Sequence, residues 1–550
     1  MSIKLQQPLE RLYYWETTKP ETVYLRQSYQ EKFIEYTWGD VARRARQLTA
    51  YLQELSYPAG TRIAIYAQNS PDWFIVDLAI MMSGHVSVPL YTGQSKQSMK
   101  YVLNHSDCQL IFIGHADTPI TIEEALDGTC IKRVGLMGCN SPCDDYLADI
   151  IEHYQPINGQ PLRDLESLYT LMYTSGTTGN PKGVMHHFDN VSLAVTHMAE
   201  DFNLNEHTRF FSYLPLSHTA ERVLVLLYSL YTGGTVAFPE SMETFSNDLK
   251  RAKPTFFFSV PRLWQKFKEA IESKVSPENI EKMLSDPDKE KVAHFKQQMR
   301  EQLGLSCADI IITGSSPTPL ELQMWYQNLG IALKNGYGMT ENCIHGCICL
   351  DDNPVPGTVG KPFNGCEVKI GTNNEILFKS KALMKGYYLN PEKTAEVLRD
   401  GYYHTGDTGM IDEQGLLHVT GRLSEVFKTT KGKFVKPTNI EDLLSNVTCL
   451  GQMCVIGHGM DAPFLIAGLS ELGVTMSKSD VTAMIEEKLP EINLQLEPFE
   501  RVKQVLLVNS EWTIENELLT PTMKLRRNSI AERYIETING LAKDQCINWE

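Results

Sequence analysis

A segment rich in hydroxyl groups and glycine, residues 168–183, has the composition of a polyphosphate-binding loop. Its sequence, LYTLMYTSGTTGNPKG, begins with an apolar run that predicts a strand and ends with Lys182 and Gly183. Glycines let the backbone approach an anion closely, consecutive N–H groups can surround it, and a lysine adds a mobile positive charge. The pattern does not fit a Walker A loop, because Gly183 stands where Ser or Thr is required and the next helix is predicted to begin only near Asp189 or Asn190. A flexible Ser/Thr/Gly linker is the alternative interpretation.

Two further segments carry side chains suited to nucleotide chemistry. In NGYGMTEN (335–342), two glycines and Tyr337 can form a flat slot for an adenine ring, and Glu341 offers the hard oxygen ligand that Mg²⁺ prefers. Asp407, in HTGD, has a short carboxylate that can accept hydrogen bonds from both hydroxyls of a ribose. Taken alone, the first segment also fits a glycine-rich turn with an exposed acid, and Asp407 also fits a cap or a turn.

The densest group of potential soft-metal ligands is Cys343, His345, Cys347 and Cys349. Their C-x-H-x-C-x-C spacing suits no common zinc site, and the period of two predicts one face of a strand. We therefore predict a structural role for these four residues.

The elements that must hold these segments alternate between helix-like and strand-like patterns, which predicts an α/β fold. Helical spacing over residues 42–55 is followed by the strand-like TRIAIYAQ, FIVDLAIMMSG is followed by VSVPLY, and MKYVLNH by CQLIFIG. Residues 265–303 are strongly charged and predict two solvated helices, with Pro277 and Pro287 near turns.

The length of 550 residues exceeds what one hydrophobic core usually organises, so we expect at least two domains. Near residue 420, the hairpin-like IDEQGLLHVTGR, with Gly415 at its turn, leads into a lysine-rich loop and a compact final stretch. We predict domains over residues 1–421 and 422–550.

The charge balance and the apolar runs exclude several classes of protein. Lys and Arg number 51 against 67 Asp and Glu, for a net charge of −16, which argues against a nucleic-acid partner. The N-terminal residues lack the pattern of a secretory signal, and no apolar run approaches the ~20 residues that span a bilayer. Twelve scattered cysteines form no disulfide framework. We therefore expect a cytoplasmic protein, with peripheral contact at the inner face of the membrane left open.

The phosphate-loop segment belongs to an ordered series of motifs. YTSGTTGNPKG resembles the phosphate loop of the adenylate-forming (AMP-binding, ANL) superfamily, which includes acyl- and aryl-CoA synthetases, luciferases and peptide-synthetase adenylation domains. Further segments follow in that superfamily's order: LPLSHTAER, KPTFFFSVPRLW, ITGSSPTP, NGYGMTEN, VGKPFNGCEVKI, EILFKSKALMKGYYLNPEKT, YYHTGDTG, VTGRLSEVFKTTKGKFVKPTNIE and LTPTMKLRRN. The first of these, together with VPRLW and PTMKLRRN, is most similar to the long-chain fatty acid:CoA ligase branch.

This resemblance implies a fold and a set of site residues. The fold is a large N-terminal adenylate-forming domain of layered α/β subdomains followed by a small, mobile α+β C-terminal domain. The implied nucleotide-binding residues are Thr174, Ser175, Gly176, Thr177, Thr178, Gly179, Lys182, Ser315, Gly336, Tyr337, Gly338, Thr340, Asp407 and Arg422. The implied Mg²⁺ ligands are Glu341 and Thr174, and the implied catalytic residues are Lys524, Glu341, His218 and Thr174.

Lys524 has the most specific implied role. A carboxylate that attacks the α-phosphate of ATP brings two anions together, so the reaction needs positive charge where negative charge develops. The superfamily's C-terminal lysine supplies it, and PTMKLRR matches that motif; without the resemblance, Lys524, Arg526 and Arg527 fit a basic tail. His218 resembles an active-site histidine between the phosphate loop and the acyl pocket, and a buried core histidine is the alternative.

The resemblance also implies a second half-reaction. Four lysines within residues 428–436 can attract an anionic acceptor such as coenzyme A, and we assign Lys431 and Gly432 to that contact. A solvated loop is the alternative. Relatives usually carry Asp or Lys at the hinge, where this chain has Ser424, and members of the branch often read TSGGK where it reads TTKGK.

The sequence therefore predicts a long-chain fatty acid:CoA ligase that uses ATP, Mg²⁺ and CoA, forms acyl-AMP and pyrophosphate, and then makes acyl-CoA. Two other enzymes stay open: an acyl-AMP ligase that loads an acyl carrier protein, and a CoA ligase for a medium-chain or aryl acid. A catalytically silent lipid- or nucleotide-binding scaffold is the non-enzyme alternative. Each buried methylene contributes only ~0.8 kcal/mol, so the sequence does not fix the acyl chain length.

Overall fold

The computed structural model describes residues 5–116, 122–174, 180–514, 516–520, 524–542 and 545–550. It divides into two compact units. The first comprises residues 1–318, 322–368 and 378–403, and the second comprises residues 319–321, 369–377 and 404–550. The sequence-based boundary after residue 421 falls at the end of a strand inside the second unit, and it stays a prediction.

The helices in the described part of the chain are numbered here in chain order. They are α1 (Pro8–Thr18), α2 (Trp38–Glu54), α3 (Pro71–Met82), α4 (Lys96–Ser106), α5 (Ile122–Leu126), α6 (Leu147–His153), α7 (Phe188–Asp201), α8 (Thr219–Glu221), α9 (Tyr228–Thr232), α10 (Phe245–Ala252), α11 (Pro261–Glu272), α12 (Pro277–Leu284), α13 (Lys289–Gln302), α14 (Leu320–Asn328), α15 (Pro391–Val397), α16 (Pro437–Leu444), α17 (Glu471–Thr475), α18 (Lys478–Leu494) and α19 (Arg527–Asn539).

The strands are numbered in the same way. They are β1 (Val23–Tyr29), β2 (Lys32–Thr37), β3 (Arg62–Tyr66), β4 (Val86–Pro89), β5 (Cys108–Ile113), β6 (Lys132–Gly135), β7 (Asp145–Tyr146), β8 (Leu168–Thr174), β9 (Lys182–His187), β10 (Arg209–Phe211), β11 (Thr235–Phe238), β12 (Phe256–Ser259), β13 (Ile310–Thr313), β14 (Leu333–Tyr337), β15 (Cys347–Ile348), β16 (Lys361–Pro362), β17 (Cys366–Ile370), β18 (Glu375–Ser380), β19 (Gly386–Tyr387), β20 (Leu398–Arg399), β21 (Tyr402–Ile411), β22 (Leu417–Arg422), β23 (Phe427–Lys428), β24 (Phe434–Val435), β25 (Leu450–Ile456), β26 (Phe464–Leu469), β27 (Gln504–Val508) and β28 (Ile547–Trp549).

The largest sheet of the first unit carries the hydroxyl-rich segment. Its described strands have the order β19-β9-β8-β4-β3-β5-β6-β7. Strands β8, β4, β3, β5, β6 and β7 run parallel, whereas β9 pairs antiparallel with both β8 and β19. The three helix–strand pairs predicted from the sequence are confirmed as α2–β3, α3–β4 and α4–β5, and they build the parallel part of this sheet.

Local sequence explains where these helices begin and what they bury. Thr37 caps α2, because its hydroxyl accepts the backbone N–H of Asp40 at 3.1 Å while the Asp40 carboxylate accepts the N–H of Thr37 at 3.2 Å. Every residue of α3 is buried, including Asp77. A carboxylate inside an otherwise apolar helix requires a charged partner, and Arg222 provides it.

Two smaller sheets complete the first unit. One has the order β10-β11-β1-β2, and the other has the order β12-β13-β14-β15-β16, with β12, β13 and β14 parallel. The prediction of two solvated helices over residues 265–303 is wrong in number, because three helices, α11, α12 and α13, occupy this region. Each also buries apolar side chains, among them Ile271, Ile280 and Phe295, so the high charge marks only their outer faces.

The second unit contains the predicted hairpin. Strands β21 and β22 pair antiparallel, with Ile411 opposite Leu417, and Gly415 adopts φ +78° at the turn. A sheet of order β25-β26-β27-β28 follows, with α18 buried against it through Val481 and Ile485. This mixture of a sheet, a hairpin and flanking helices agrees with the α+β class implied for the C-terminal domain.

Candidate active site

The hydroxyl-rich segment joins two antiparallel strands. Thr174 at the end of β8 lies directly opposite Lys182 at the start of β9. Between them, Ser175, Gly176, Thr177, Thr178 and Gly179 lie outside the described residues, so their predicted contacts stay predictions. Lys182 is followed by a strand, and the next helix begins at Phe188. This confirms that the segment is not a Walker A loop, in which a helix starts at the lysine.

Lys182, Tyr387 and Glu341 come together beside this hairpin. The Tyr387 hydroxyl donates to Glu341 Oε1 at 2.8 Å, and Lys182 Nζ lies 5.5 Å from the centre of the Tyr387 ring. Partial burial lowers the pKa of Lys182 most, and nearby Lys393 lowers it further, while Glu341 opposes the shift. The cluster therefore holds a lysine and a carboxylate across one aromatic ring at the base of the loop.

Tyr387 is a site residue that sequence reasoning missed. It lies in a two-residue strand, β19, whose pairing with β9 places Tyr387 opposite Val184. Burial raises the pKa of its hydroxyl, and Glu341 raises it further through its charge and its hydrogen bond, so the group stays a donor. A two-residue strand is too short to show a periodic pattern in the sequence. It is defined only by its pairing with the distant strand β9.

We expect the Tyr387→Phe variant to bind Mg·ATP about tenfold more weakly, because a hydrogen bond to a charged group contributes about 1.5–3 kcal/mol. The ring that faces Lys182 is retained. Calorimetric titration with Mg·ATP measures the change. The matched control is Tyr402→Phe, which removes an exposed tyrosine–glutamate hydrogen bond to Glu367 in the same unit. Equal affinity for both variants would contradict a role for Tyr387.

The predicted adenine-binding residues lie at the carboxyl ends of two parallel strands. Ser315 follows β13 and adopts φ +69°, while Gly336 and Tyr337 end β14. A Cβ atom on Gly338 would lie 2.7 Å from the carbonyl oxygen of Ile344, so the chain itself requires this glycine. Tyr337 packs at 5.7 Å from Phe378. The structure thus brings Ser315 and Tyr337 to one sheet edge, and their contact with a purine stays a prediction.

Thr340 connects this segment to LPLSHTAER. The Thr219 hydroxyl donates to Thr340 Oγ1 at 3.0 Å. The preceding residue, His218, is half-buried, and its Nδ1 accepts the backbone N–H of Ala220 at 3.2 Å. His218 is therefore not a deeply buried core histidine, and the Ala220 N–H fixes which ring nitrogen accepts. Its catalytic role stays a prediction.

The two charged residues that end LPLSHTAER are fully buried. Arg222 bonds Asp77, Ser87 Oγ (2.7 Å) and Thr170 Oγ1 (2.8 Å), and so ties β4, β8 and α3 together. It begins a short π-helical segment, Arg222–Leu227. Glu221 Oε1 accepts from Ser212 Oγ at 2.8 Å and from the backbone N–H of Tyr213 at 3.0 Å. Both residues support the loop that presents His218.

The Glu221→Gln variant is expected to gain stability relative to the wild type as pH rises. Burial raises the pKa of Glu221 from 4.5 to about 8, so the folded protein holds the neutral acid. The unfolded chain releases that proton at lower pH, so the wild type loses stability as pH rises through this window, and glutamine does not. Between about pH 5 and pH 8, the free energy of unfolding of the wild type is expected to fall by on the order of 4 kcal/mol relative to that of the variant. Urea unfolding at the two pH values measures it, and a pH-independent difference would contradict the assignment.

Asp407 and Arg422 face each other in the β21–β22 hairpin of the second unit. They are register partners, and Arg422 Nε lies 2.7 Å from Asp407 Oδ1. Asp407 is buried, whereas the Arg422 side chain is partly exposed. The structure therefore brings together the two residues predicted to hold the ribose and the nucleotide. Their contact with a ligand stays a prediction.

Lys524 is an exposed residue of the second unit, just before α19. Its backbone N–H donates to Thr520 Oγ1 at 3.1 Å and its carbonyl accepts the N–H of Thr520 at 2.8 Å. Three residues on, Arg527 bonds both oxygens of Glu441, and this pair raises the pKa of Arg527 despite its burial. The basic-tail interpretation is wrong for Arg527, because this residue forms a buried ion pair with Glu441 that anchors the chain next to Lys524.

The lysine-rich loop is the turn of hairpin β23–β24. Phe427 lies opposite Val435, and Gly432 adopts φ +76° in the turn. Lys428, Lys431 and Lys433 are exposed. The loop therefore presents three ammonium groups to solvent, as either a CoA-binding surface or a solvated loop would.

The cysteine and histidine group from 343 to 349 is only partly a strand. Cys347 belongs to β15, whereas Cys343 and His345 lie in the turn that precedes it, so the prediction of one strand face is wrong for these two. His345 bonds Ser380 Oγ at 3.0 Å and the carbonyl of Asn364 at 2.9 Å, and burial lowers its pKa to about 4. Within the described ranges no group of three or more His, Cys, Asp or Glu side chains has the arrangement of a metal site. A structural role for the four residues stays a prediction.

Comparison with known families gives the chain its classification. Residues 14–388 match the AMP-binding enzyme family, and residues 425–545 match the AMP-binding enzyme C-terminal domain. The chain belongs to the AMP-binding enzyme family. It is thus an adenylate-forming, acyl-activating enzyme, as the motif order implied, and its mixed α/β fold with a C-terminal domain is confirmed.

Individual relatives of this AMP-binding enzyme span nearly its whole length. The long-chain-fatty-acid–CoA ligase FadD15 of Mycobacterium bovis is 27% identical over 567 residues, covering 93% of this chain and 94% of that protein. The chloroplastic long-chain-fatty-acid–[acyl-carrier-protein] ligase AEE15 of Arabidopsis thaliana is 25% identical, covering 93% and 83%. The adenylation domain of a carboxylate reductase from Mycobacterium chelonae has the same fold, with a TM-score of 0.80, 21% identity and coverage of 98% and 91%.

In the part of the chain that the structure describes, no helix combines the length and the apolar composition needed to cross a bilayer.

Proposed function

We propose that this AMP-binding enzyme is a long-chain fatty acid:CoA ligase that uses Mg·ATP. The observation that carries the proposal is the cluster of Lys182, Tyr387 and Glu341 beside the β8–β9 hairpin. It supplies a cation for phosphate oxygens and a carboxylate for a metal ion beside the hydroxyl-rich loop. Similarity over nearly the full length to a long-chain-fatty-acid–CoA ligase supports the choice of a long-chain fatty acid as the acid and of CoA as the acceptor.

The donor atoms at the site suit Mg²⁺. Glu341 and Thr174 offer oxygen atoms, which this ion prefers, and Tyr387 bonds only one of the two carboxylate oxygens of Glu341. Glu341 and Thr174 would hold the ion, which supplies charge neutralisation to the phosphates of ATP. Lys182 adds a second positive charge for the phosphates from β9.

The chain's own residues account for both half-reactions in this proposal. Lys182 and the loop bind the triphosphate, Asp407 orients the ribose, and Lys524 neutralises charge as the fatty acid carboxylate bonds to the α-phosphorus and pyrophosphate leaves. The acyl-adenylate has a good leaving group, so a thiol can attack its carbonyl without a covalent enzyme intermediate. Lys431 and Gly432 then contact CoA, while residues 422–550 move as the C-terminal domain about a hinge that includes Ser424.

Acid-dependent release of pyrophosphate tests the first half-reaction. The enzyme is incubated with Mg·ATP and palmitate, octanoate or benzoate, and pyrophosphate is counted for each acid. Release with palmitate well above that with octanoate and benzoate is expected. Preference for octanoate or benzoate would replace the long-chain assignment, and no release with any acid would favour the silent scaffold.

A carrier-protein ligase is a second candidate, supported by the similarity to an acyl-carrier-protein ligase. Disappearance of the free thiol after addition of CoA, compared with phosphopantetheinylated acyl carrier protein, separates the two acceptors. We expect CoA to be consumed, because three exposed lysines of the β23–β24 hairpin offer charge to its phosphates. Consumption of the carrier-protein thiol alone would overturn the choice.

Replacement of Asp407 by alanine is expected to weaken Mg·ATP binding about tenfold, since the ribose hydroxyls lose a charged acceptor. Calorimetric titration measures the affinity. The Asp407→Asn variant, which keeps the size and part of the accepting capacity, serves as the comparison and should lose less. Unaltered ATP binding by Asp407→Ala would refute the ribose assignment.

We further propose that the protein acts in the cytoplasm, with its long-chain substrate drawn from the inner face of the membrane. The net charge of −16 argues against a general role with nucleic acid.

A further inference from the structure

His186 is a fully buried histidine of β9 that contacts the segment carrying Glu341. Its Nε2 lies 2.8 Å from the carbonyl oxygen of Thr340, and its Nδ1 lies 3.0 Å from the side-chain nitrogen of Asn190. An amide nitrogen can only donate, so Nδ1 accepts and Nε2 carries the hydrogen. The Thr340 carbonyl, which belongs to the peptide bond joining Thr340 to Glu341, therefore receives a hydrogen bond from a buried ring.

The orientation of Asn190 follows from its other partners. Asn190 Oδ1 accepts the backbone N–H of His187 at 2.8 Å, at the start of α7, and Nδ2 also donates to the carbonyl of Ala382 at 3.1 Å. The amide is thus fixed on both sides, and it fixes the tautomer of His186. Burial lowers the pKa of His186 to about 4, so the ring stays neutral at physiological pH.

Residues 340 and 341 are held from three directions. His186 binds the Thr340 carbonyl, the Thr219 hydroxyl binds Thr340 Oγ1, and the backbone N–H of Met384 donates to the Glu341 carbonyl at 2.7 Å. Only Tyr387 contacts the Glu341 carboxylate among these described hydrogen bonds. The contacts of residues 340 and 341 fix the position of the Glu341 backbone, and the hydrogen bond from Tyr387 fixes the orientation of the Glu341 carboxylate.

We infer that His186 is a positioning residue for Glu341, which it places for Mg·ATP through the Thr340 carbonyl. The inference rests on the proposed function, in which Glu341 serves the metal–nucleotide complex. Because the ring is buried beneath the site, it acts through the backbone and touches no substrate. Its loss should weaken Mg·ATP binding more than it weakens the fold.

Two variants that each replace the buried ring by an amide side chain test this role. His186→Gln keeps an N–H donor near the position of Nε2, whereas His186→Asn keeps a polar group only near Nδ1. Calorimetric titration with Mg·ATP should show affinity within about twofold of wild type for the glutamine variant. The asparagine variant should bind about fivefold more weakly, which corresponds to one lost hydrogen bond. His85→Asn, at another buried histidine of the same unit, is the control for stability.

The outcomes separate failure of this inference from failure of the proposed function. If wild type and Glu341→Gln bind Mg·ATP equally, Glu341 has no role and the proposed site is wrong. If Glu341→Gln binds weakly but folded His186→Asn binds like wild type, the positioning role is wrong. Equal weakening in the glutamine and asparagine variants would also overturn it, because the Nε2 donor would not be the group that matters.

An independent feature is a pair of thiols in the turn between β6 and β7. Cys139 Sγ lies 3.7 Å from Cys143 Sγ, and each sulfur lies 3.5 Å from the carbonyl oxygen of Ser141. Both side chains are partly exposed. Backbone hydrogen bonds anchor both ends of the turn, from Cys139 N to Leu136 O and from Asp144 N to Arg133 O, each at 3.0 Å.

We propose that Cys139 and Cys143 form a reversible dithiol modification site for low-molecular-weight disulfides. The Cys139 thiolate attacks oxidised glutathione and releases one glutathione as its thiolate. The Cys143 thiol then loses its proton, attacks the Cys139 sulfur and displaces the second glutathione. The two protein thiols are oxidised by two electrons to a disulfide, and the oxidant is reduced to two molecules of glutathione. The anchored turn already holds the sulfurs in contact, so closure needs side-chain rotation rather than a change in the sheet.

Mass spectrometry of the full chain treated with oxidised glutathione tests this site. The expected product is a peptide cross-linked between Cys139 and Cys143, lighter by two hydrogen atoms and restored by dithiothreitol. Cys143→Ser should instead retain one glutathione on Cys139, whereas Cys130→Ser, at an exposed single cysteine, should leave the cross-link intact. Glutathione on Cys130 with both turn cysteines still reduced would overturn the proposal.

Discussion

Replacement of Lys524 by alanine is expected to lower acid-dependent pyrophosphate release about 100- to 1000-fold. This range is typical for removal of one positioned group that stabilises developing negative charge. Lys524 is exposed and its backbone is tied to Thr520, while Arg527 and Glu441 anchor the chain just beyond it. The ammonium group is therefore presented from a fixed backbone on the second unit. Single-turnover pyrophosphate release with saturating palmitate measures the loss.

The second half-reaction provides the internal control for Lys524. Transfer from preformed acyl-AMP to CoA should fall far less in Lys524→Ala, because no phosphate bond forms in that step. Lys503→Ala, at an exposed lysine of the same unit, should leave both steps unchanged. Ordinary adenylation by Lys524→Ala would show that its charge is not used.

Replacement of Glu341 by glutamine is expected to lower pyrophosphate release about 100-fold. It should also raise the Mg²⁺ concentration needed for half-maximal activity by about tenfold or more. Glutamine keeps an oxygen and the size of the side chain but removes the negative charge that a hard cation prefers. The Tyr387 hydroxyl can still donate to the amide oxygen, so the packing of the cluster is largely preserved. Initial rates across a Mg²⁺ series at fixed ATP measure both effects.

The matched control for Glu341 is Glu392→Gln, at an exposed carboxylate of α15 in the same unit. It should leave the Mg²⁺ dependence unchanged. If Glu341→Gln behaved like this control, the carboxylate would have no part in metal–nucleotide binding. The loop residues and Lys182 would then have to bind the metal–nucleotide complex without Glu341.

Local patterns predicted the elements of the first unit well. Helix α2 and strand β3 come from contiguous segments in which apolar spacing and a capping box agree. The β21–β22 hairpin was predictable because Gly415 supplies the left-handed turn residue. The charged stretch from 265 to 303 was misjudged, because buried residues such as Ile280 are few in each short helix.

The candidate site was predictable where motifs are contiguous and missed where they are not. Lys182 and Glu341 belong to segments whose composition suggests nucleotide chemistry. Tyr387 and His186 are linked to the site only by hydrogen bonds to Glu341 and Thr340, which lie 46 and 154 residues away in the sequence, respectively. No local pattern encodes such contacts. Arg222 was read as part of a motif, but its full burial depends on Asp77, far away in the sequence.

The β8–β9 hairpin separates Lys182 from the start of α7, the next helix along the chain. Strand β9 has six residues, so α7 begins about 20 Å along the chain from Lys182. The macrodipole acts only within the first turn or so of a helix. The start of α7 therefore does not reinforce the charge of Lys182, and we expect affinity for ATP to fall with added salt because salt screens such charged contacts.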